Sequence, residues 1–319
     1  MVKLIIQIPC YNEEQTLPAV LAGIPETIPG VDVIETLVID DGSSDRTVEV
    51  ARKLGVTHIV QQGQNRGLAR GFQRGIDEAL RCGADIVVNT DGDNQYDGGS
   101  IPDLVRPILD GTADIVVGDR RAGSREDFSF TKRFLQRFGS WTVRQLASVQ
   151  VPDAVSGFRA YTRDAALNIN VLTNFSYTTE TLIHASQRGY KIASVPVATN
   201  PQTRPSRLFK SIPSFVSKQA VTIVRSFVMY RSLRAFVGLG LVMLLIGMIP
   251  VVRFLYYYAI GQGDGKIQSL ILGGVFLLAG YLTTVLALLS DVVATNRKLI
   301  EQVLGRVRKI EMAVDADAE

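Results

Sequence analysis

Apolar positions follow two periods in the first 200 residues and a third pattern after residue 232. Short apolar runs closed by turn residues read as buried strands, and apolar spacing of three and four reads as a helix face. KLIIQI (3–8) is such a run; the polar stretch PCYNEE (9–14) and an amphipathic segment through residue 23 follow it. VIETLVIDD (33–41) predicts a second strand ending in acids. SSDRTVEVARKLG predicts a helix with Ser43 or Ser44 as N-cap and Gly55 as terminator. HIVQQ (58–62) is a third strand and GLARGFQRGIDEALRCG the next helix. ADIVVNTD and ADIVVGD (113–119) are a fourth and a fifth strand. This alternation predicts an α/β domain with a mostly parallel sheet and helices on both faces. Ligands bind such sheets at the carboxyl ends of the strands. The clusters PCYNEE, DDGSSD, TDGDNQ and GDRR all fall at predicted strand ends, so four polar loops converge on one edge. The chain has no internal repeat and no low-complexity segment.

The third pattern is continuous apolarity. Residues 235–252 (AFVGLGLVMLLIGMIPVV) and 267–290 (IQSLILGGVFLLAGYLTTVLALLS) carry no charge. Each can cross a hydrocarbon layer of about 30 Å at 1.5 Å per residue, the first with its aromatic flank included. Tyr256, Tyr257 and Tyr258 lie between them, where an interfacial belt is expected. Lys210, Lys218, Arg225, Arg231 and Arg234 precede the first span, and Arg297, Lys298, Arg306, Arg308 and Lys309 follow the second. The loop between holds only Arg253 and Lys266, so the positive-inside rule places both ends in the cytoplasm. Residues 209–231 mix apolar positions with Lys and Arg, which suits helices lying on a membrane surface. Beyond the second span, Leu299, Val303, Val307 and Ile310 recur at helical intervals and fit either a second subunit or a solvated helix end. The N-terminus lacks the apolar length and cleavage site of a signal peptide. The expected division is a cytosolic catalytic domain over 1–208, interfacial amphipathic helices over 209–232, two transmembrane helices over 233–290 and a cytosolic C-terminal helix or tail over 291–319.

Composition narrows the function. Apolar residues make up 46% of 319, mean hydropathy is +0.17, and 34 basic against 31 acidic side chains leave a net charge of +3. Two cysteines, Cys10 and Cys82, do not make a disulfide framework, and both are expected to be reduced and packed. No basic tract with interleaved aromatics supports a nucleic-acid role. No G-x-G-x-x-G follows the first strand and no G-x-x-x-x-G-K-[ST] occurs, which weighs against a dinucleotide oxidoreductase and a P-loop NTPase. His58 and His184 lack metal-ligand spacing and are expected to pack, as is Trp141 in the core or at an interface.

NTDGDNQYD (89–97) sets Asp91, Asp93 and Asp97 within seven positions. Carboxylates that close repel one another unless a cation sits among them. Asp91 and Asp93 in a D-x-D turn after a strand, with Gln95 as a further oxygen donor, suit Mg²⁺ or Mn²⁺. Such ions are commonly held by one or two carboxylates plus substrate phosphates, so the implied ligand is a diphosphate.

Together PCYNEE, DDGSSDRT (40–47), the D-x-D at 91–93 and SGFRAY (156–161) resemble family-2 glycosyltransferases of the GT-A fold. They look most like the polyprenyl-phosphate glycosyltransferases, the group of dolichol-phosphate mannose synthase. The resemblance covers about residues 3–210, and the C-terminal hairpin is similar to that of membrane-anchored members. It implies that Pro9, Tyr11, Asn12 and Glu13 line a nucleoside pocket, and that Asp40 and Asp41 meet base and ribose. It implies that Asp91, Asp93 and Gln95 hold the metal on the donor diphosphate. Arg120 and Arg133 match positions that bind the lipid phosphate, and Arg204, with Ser206 and Arg207 beside it, would reach the donor phosphates. Glu180 stands where the family has an acid facing the site. Two departures from the family pattern are Pro205 and Arg207 in TRPSRL (203–208), and Asp119 where Ser is common.

The implied reaction is inverting transfer of a hexose from GDP-mannose or UDP-glucose to a dolichyl or undecaprenyl phosphate at the cytosolic membrane face. Asp91, Asp93, Arg120 and Arg133 would carry it, with the lipid bilayer and further copies of the chain as candidate partners. An alternative is a membrane glycosyltransferase acting on a growing polysaccharide or a glycolipid. The chain has no Q-x-x-R-W motif and only two spans, which weighs against processive synthesis.

Overall fold

In a computed structural model of the chain, residues 1–120, 151–171, 177–201, 212–262 and 267–318 are described. Elements are numbered among these residues. The strands are β1 (Lys3–Cys10), β2 (Val33–Asp40), β3 (His58–Gln61), β4 (Ile86–Asn89), β5 (Ile115–Asp119), β6 (Arg159–Thr162) and β7 (Ile192–Pro196). The helices are α1 (Leu17–Ala22), α2 (Thr47–Lys53), α3 (Leu68–Arg81), α4 (Ile101–Leu109), α5 (Arg163–Asn168), α6 (Tyr177–Gln187), α7 (Ile212–Ala259) and α8 (Ile267–Ala318). Two compact units result: Met1–Gln219 with Gln302–Glu319, and Ala220–Glu301.

The first unit is built on one sheet in the order β3-β2-β1-β4-β6-β5-β7. β1 runs parallel to β2 and β4, with Lys3 opposite Val33 and Leu4 opposite Ile86. Period-two alternation sends Leu4, Ile6 and Ile8 into one core with Val38, Val88 and Leu104. It sends Ile5 to the other face with Leu37, Ile39 and Val87. That second core is closed by α3, which buries Ala69, Phe72, Ile76 and Ala79 at helical spacing. Both faces are therefore covered, as a continuous apolar β1 requires.

Five predicted strands are present, and two more complete the sheet. β6, inside SGFRAY, is antiparallel to both β4 and β5, with Asn89 opposite Arg159. β7 then runs parallel to β5. The sequence around β6 is too short and too mixed to separate a strand from a motif loop. The helix after DDGSSD starts at Thr47, not at Ser43 or Ser44. Those two residues are committed elsewhere: the Ser43 amide donates to Asp40 Oδ1 and the Ser44 amide to Asn12 Oδ1. Gly55 ends the turn after this helix with φ +74°, as expected of a C-terminal glycine.

Phe236–Ala259 and Ile267–Glu311 are each long and apolar enough to cross a membrane. α7 runs without a break from the stretch read as interfacial into the first span. The two helices meet at small residues. A methyl at Gly247 would lie 2.9 Å from the Leu277 amide nitrogen and 3.0 Å from the Gly273 carbonyl oxygen. One at Gly280 would lie 2.9 Å from the Gly240 carbonyl oxygen. Small residues that let backbones approach this closely are the main adhesive between apolar helices. Gly247→Leu is expected to destabilise the helix pair by about 1–3 kcal/mol through overpacking. A thermal melt of the detergent-solubilised protein checks this; an unchanged transition would mean that the pair does not depend on the close approach.

Candidate active site

The site forms where β1, β2, β4 and β5 end. The three N-terminal loops are stitched together by short bonds. The Asn12 amide donates to Ser43 Oγ at 2.9 Å and the Glu13 amide to Thr47 Oγ1 at 2.8 Å. Thr16 Oγ1 lies 2.8 Å from Glu13 Oε2 and 2.7 Å from the Gly92 carbonyl oxygen, tying the first loop to the D-x-D turn. Asn12 itself sits at φ 57°, a conformation that Asn tolerates better than most residues. Gly42, at φ +76°, must be glycine: a Cβ there would lie 2.6 Å from the Gln64 carbonyl carbon.

The aspartates of DDGS divide their work. Asp41 is buried and accepts the Arg66 amide at 2.7 Å and the Gly67 amide at 2.9 Å, which fixes the loop entering α3. Asp40, also buried, holds its own turn through Ser43. Pro9 and Tyr11 lie at the end of β1, Pro9 buried and Tyr11 exposed at the cleft. Cys10 is buried below them, and loss of hydration, then Glu13 and Asp40, push its thiol well above the usual range. It is a packed, unreactive sulfur.

Asp91, Asp93 and Gln95 lie on one turn after β4. Asp93 Oδ1 accepts the Gln95 amide at 3.1 Å, closing the turn, and Asn94 takes φ 57°. The Asp91 carboxyl is pushed up from 3.8 to about 7. Burial is the largest cause and the Asp93 charge the next, while Arg120 pulls the other way and Glu13 adds to the rise. Both side chains are half-buried, and two carboxylates on one turn repel each other less with a cation beside them. Two carboxylates plus an amide oxygen are hard donors, and among the described residues no third His, Cys, Asp or Glu completes a cage. The donor set therefore fits Mg²⁺ or Mn²⁺ with coordination positions left for phosphate oxygens and water. Because a proton competes for Asp91, affinity for Mn²⁺ is expected to rise as pH rises toward about 7, by up to tenfold per unit, and then to level off. Without metal the sign reverses for stability. The folded chain holds this proton more tightly than the unfolded chain, so stability falls as pH climbs from about 4 through 7. Calorimetric titration with Mn²⁺ at pH 5.5, 6.5 and 7.5 measures the first effect; pH-independent affinity would contradict it.

Below Asp91 lies a buried polar seam. Asn89 accepts from Gln7 Nε2 at 2.8 Å and donates to the Gly157 carbonyl oxygen at 2.7 Å and to Tyr177 Oη at 3.2 Å. Tyr96 Oη accepts the Gly157 amide at 3.0 Å, and the Tyr96 ring stacks on Phe158 with centroids 4.9 Å apart. Gly157 has no room for a side chain. A Cβ would lie 2.6 Å from Tyr177 Oη and 3.2 Å from Asp91 Oδ1.

Arg120 follows β5, beside this turn. Its Nε and Nη2 fork onto Asp153 at 2.7 and 3.1 Å. Its Nη1 reaches Gln95 Oε1 at 3.4 Å, and the guanidinium lies 5.8 Å from the Tyr96 ring centre. Asp153 is 2% exposed, so this is a desolvated pair. The sequence reading missed Asp153, although an acid in the otherwise apolar VPDAV is a visible anomaly. It also missed Arg159, which is fully buried and donates to the carbonyl oxygens of Ser156, Thr178 and Ala154 at 2.7–2.8 Å and to Thr181 Oγ1 at 2.8 Å. Arg159 braces the turn carrying Gly157 against α6, whose first turn holds buried Glu180. His184 is buried in the same helix, and His58 Nε2 pairs with Glu35 at 2.8 Å away from the strand ends that carry the site. Arg133, Arg204, Ser206, Arg207 and Trp141 lie outside the described residues.

The strand-end loops thus set two carboxylates beside an arginine. Residues 5–169 match the profile of glycosyl transferase family 2, and the chain belongs to that family and is a glycosyltransferase. It is 37% identical over 192 residues to a dolichyl-phosphate hexose transferase of Haloferax volcanii, covering 59% of this chain and 78% of that protein. It is 26% identical to an undecaprenyl-phosphate mannosyltransferase of Micrococcus luteus, covering 60% of this chain and 80% of the relative. Its fold is GT-A: glucosyl-3-phosphoglycerate synthase of Mycobacterium tuberculosis, solved with Mn²⁺, UDP and glucosyl-3-phosphoglycerate, superposes with a TM-score of 0.55 at 21% identity, over 71% of this chain and 78% of that one.

Proposed function

We propose that this glycosyltransferase moves a hexose from GDP-mannose or UDP-glucose to a polyprenyl phosphate, with inversion at the anomeric carbon, on the cytosolic face of a membrane that α7 and α8 cross. The observation that carries the reading is the Asp91–Asp93–Gln95 turn lying within hydrogen-bond reach of Arg120. A cation site and an arginine then share one cleft, as a reaction between two anions requires. The names of the relatives in Haloferax volcanii and Micrococcus luteus support a polyprenyl phosphate as the acceptor.

Bound at Asp91 and Asp93, Mg²⁺ or Mn²⁺ would neutralise the donor diphosphate and stabilise the nucleoside diphosphate as it leaves. The chain supplies the rest. Pro9, Tyr11, Asn12 and Glu13 line the nucleoside side of the cleft, with Asp40 and Asp41 holding its floor. A lipid monophosphate has its second pKa near 6, so it is already a nucleophile at neutral pH and needs no strong base. Arg120 and Arg133 are assigned to orient that phosphate, and Arg204 to the donor phosphates. Asp153 keeps the Arg120 guanidinium from collapsing onto the acidic turn.

Presenting both donors with undecaprenyl phosphate, and reading the product's anomeric configuration by proton NMR, tests this reading. One donor should yield a lipid-linked sugar of configuration opposite to its own. Retained configuration, or no lipid-linked sugar from either donor, would overturn it.

A further inference from the structure

The end of α8 carries a pattern that sugar transfer does not use. Ile300, Val303, Val307, Ile310 and Val314 are spaced 3-4-3-4, a strict seven-residue repeat. All five are exposed, at 67, 59, 42, 63 and 61%. A straight helix drifts away from such a repeat, and sequences that keep it match a partner helix wound around them. Leu299 and Leu304, 54 and 38% exposed, flank the seam, so the apolar face takes in g and e positions beside a and d.

The other face of the same segment is already occupied by this chain's own catalytic unit. A Cβ at Gly305 would lie 2.8 Å from Asn168 Oδ1, so the helix sits close on α5. Arg308 donates to the Ile169 carbonyl oxygen at 2.8 Å and lies 3.5 Å from Asp77 of α3, with its side chain 15% exposed. Lys309 pairs with Asp164 at 3.1 Å. Gly305, Arg308 and Lys309 fall on the side opposite the seam. Arg308 and Lys309 are thus committed to Asp77 and Asp164 rather than offered to lipid.

We propose that the Ile300–Val314 stripe is the docking surface for a second copy of this chain, joined as a parallel coiled coil. Charge selects both the partner and its direction. With Ile300 and Val307 at position a, Arg306 falls at g and Glu311 at the following e. In a parallel, in-register pair these two side chains meet across the seam with opposite charge, twice per dimer. An antiparallel pair would set g against g, bringing Arg306 near its own copy.

The test uses the full-length protein in detergent and in nanodiscs, with light scattering for mass and oxidative cross-linking in a Cys82→Ser background. The expected mass is at least twice that of the chain. Val303→Cys should form a covalent dimer and Gln302→Cys should not. Arg306→Glu should shift the protein at least tenfold toward monomer, and Arg306→Glu with Glu311→Arg should restore association. Ile300→Glu with Val307→Glu should give a monomer that still transfers sugar. Monomeric wild-type protein would overturn the proposal, as would equal cross-linking at 302 and 303. Failure of the double charge swap to restore association would overturn the parallel register. Protection of Val303→Cys from a maleimide by vesicles, without cross-linking, would assign the stripe to lipid instead.

Discussion

Asp93→Asn is expected to lower kcat for sugar transfer by about a thousandfold or more, equivalent to about 4 kcal/mol of transition-state stabilisation, and to leave the fold intact. Loss of activity follows from removing one of the two carboxylates that hold the cation for the donor diphosphate. Retention of the fold follows from electrostatics. The Asp93 charge is, after burial, the largest cause holding the Asp91 carboxyl up near 7. Replacing it with a neutral amide relieves that repulsion, so the metal-free variant should melt at the wild-type temperature or above it. Asn also keeps an oxygen that can accept the Gln95 amide and close the turn. Activity within tenfold of wild type at saturating Mn²⁺ would remove Asp93 from the metal site, and a large drop in melting temperature would show that its role is structural.

Arg159→Leu should have the largest effect on stability, on the order of 3–5 kcal/mol. The guanidinium is fully buried and satisfies three backbone carbonyls and one hydroxyl. Leucine would take the guanidinium from the buried Ser156 and Ala154 carbonyls, at about 1–3 kcal/mol for a buried orphan, while the Thr178 carbonyl keeps the Thr181 hydroxyl. The damage reaches the chemistry, because the Ser156–Gly157 turn that Arg159 holds also meets Tyr96, Asn89 and the Asp91 carboxyl. Urea unfolding measures the effect, and a midpoint close to that of wild type would show that the four bonds are dispensable.

The strand-end loops were legible because each has a local signature. A short apolar run followed by PCYNEE, DDGSS or TDGDNQ marks both the strand and where it stops, and parallel topology then brings the ends together. Asp91, Asp93 and Gln95 fall on one such turn. What supports them was not legible. Arg159 and Asp153 act through partners 3 to 33 residues away, set by the antiparallel insertion of β6 between β4 and β5. Four residues of β6 carry no period long enough to reveal that insertion. Asp41 shows the converse. Its sequence neighbourhood points to a ligand, while its oxygens hold the Arg66 and Gly67 amides, a loop-to-loop bond that no local pattern encodes. The helix start at Thr47 moved for the same reason, since the two serines that look like caps serve the neighbouring loops.

The measurement that tests the central claim most directly is transfer of radiolabelled hexose into lipid. Purified full-length protein is incubated with labelled donor and Mn²⁺, with undecaprenyl phosphate or with undecaprenol lacking the phosphate, and the label is followed into the organic phase. The account predicts label in lipid only with the phosphorylated acceptor, and none with Asp93→Asn. Label that stays in water as polymer or free sugar, or that enters unphosphorylated undecaprenol equally well, would contradict it.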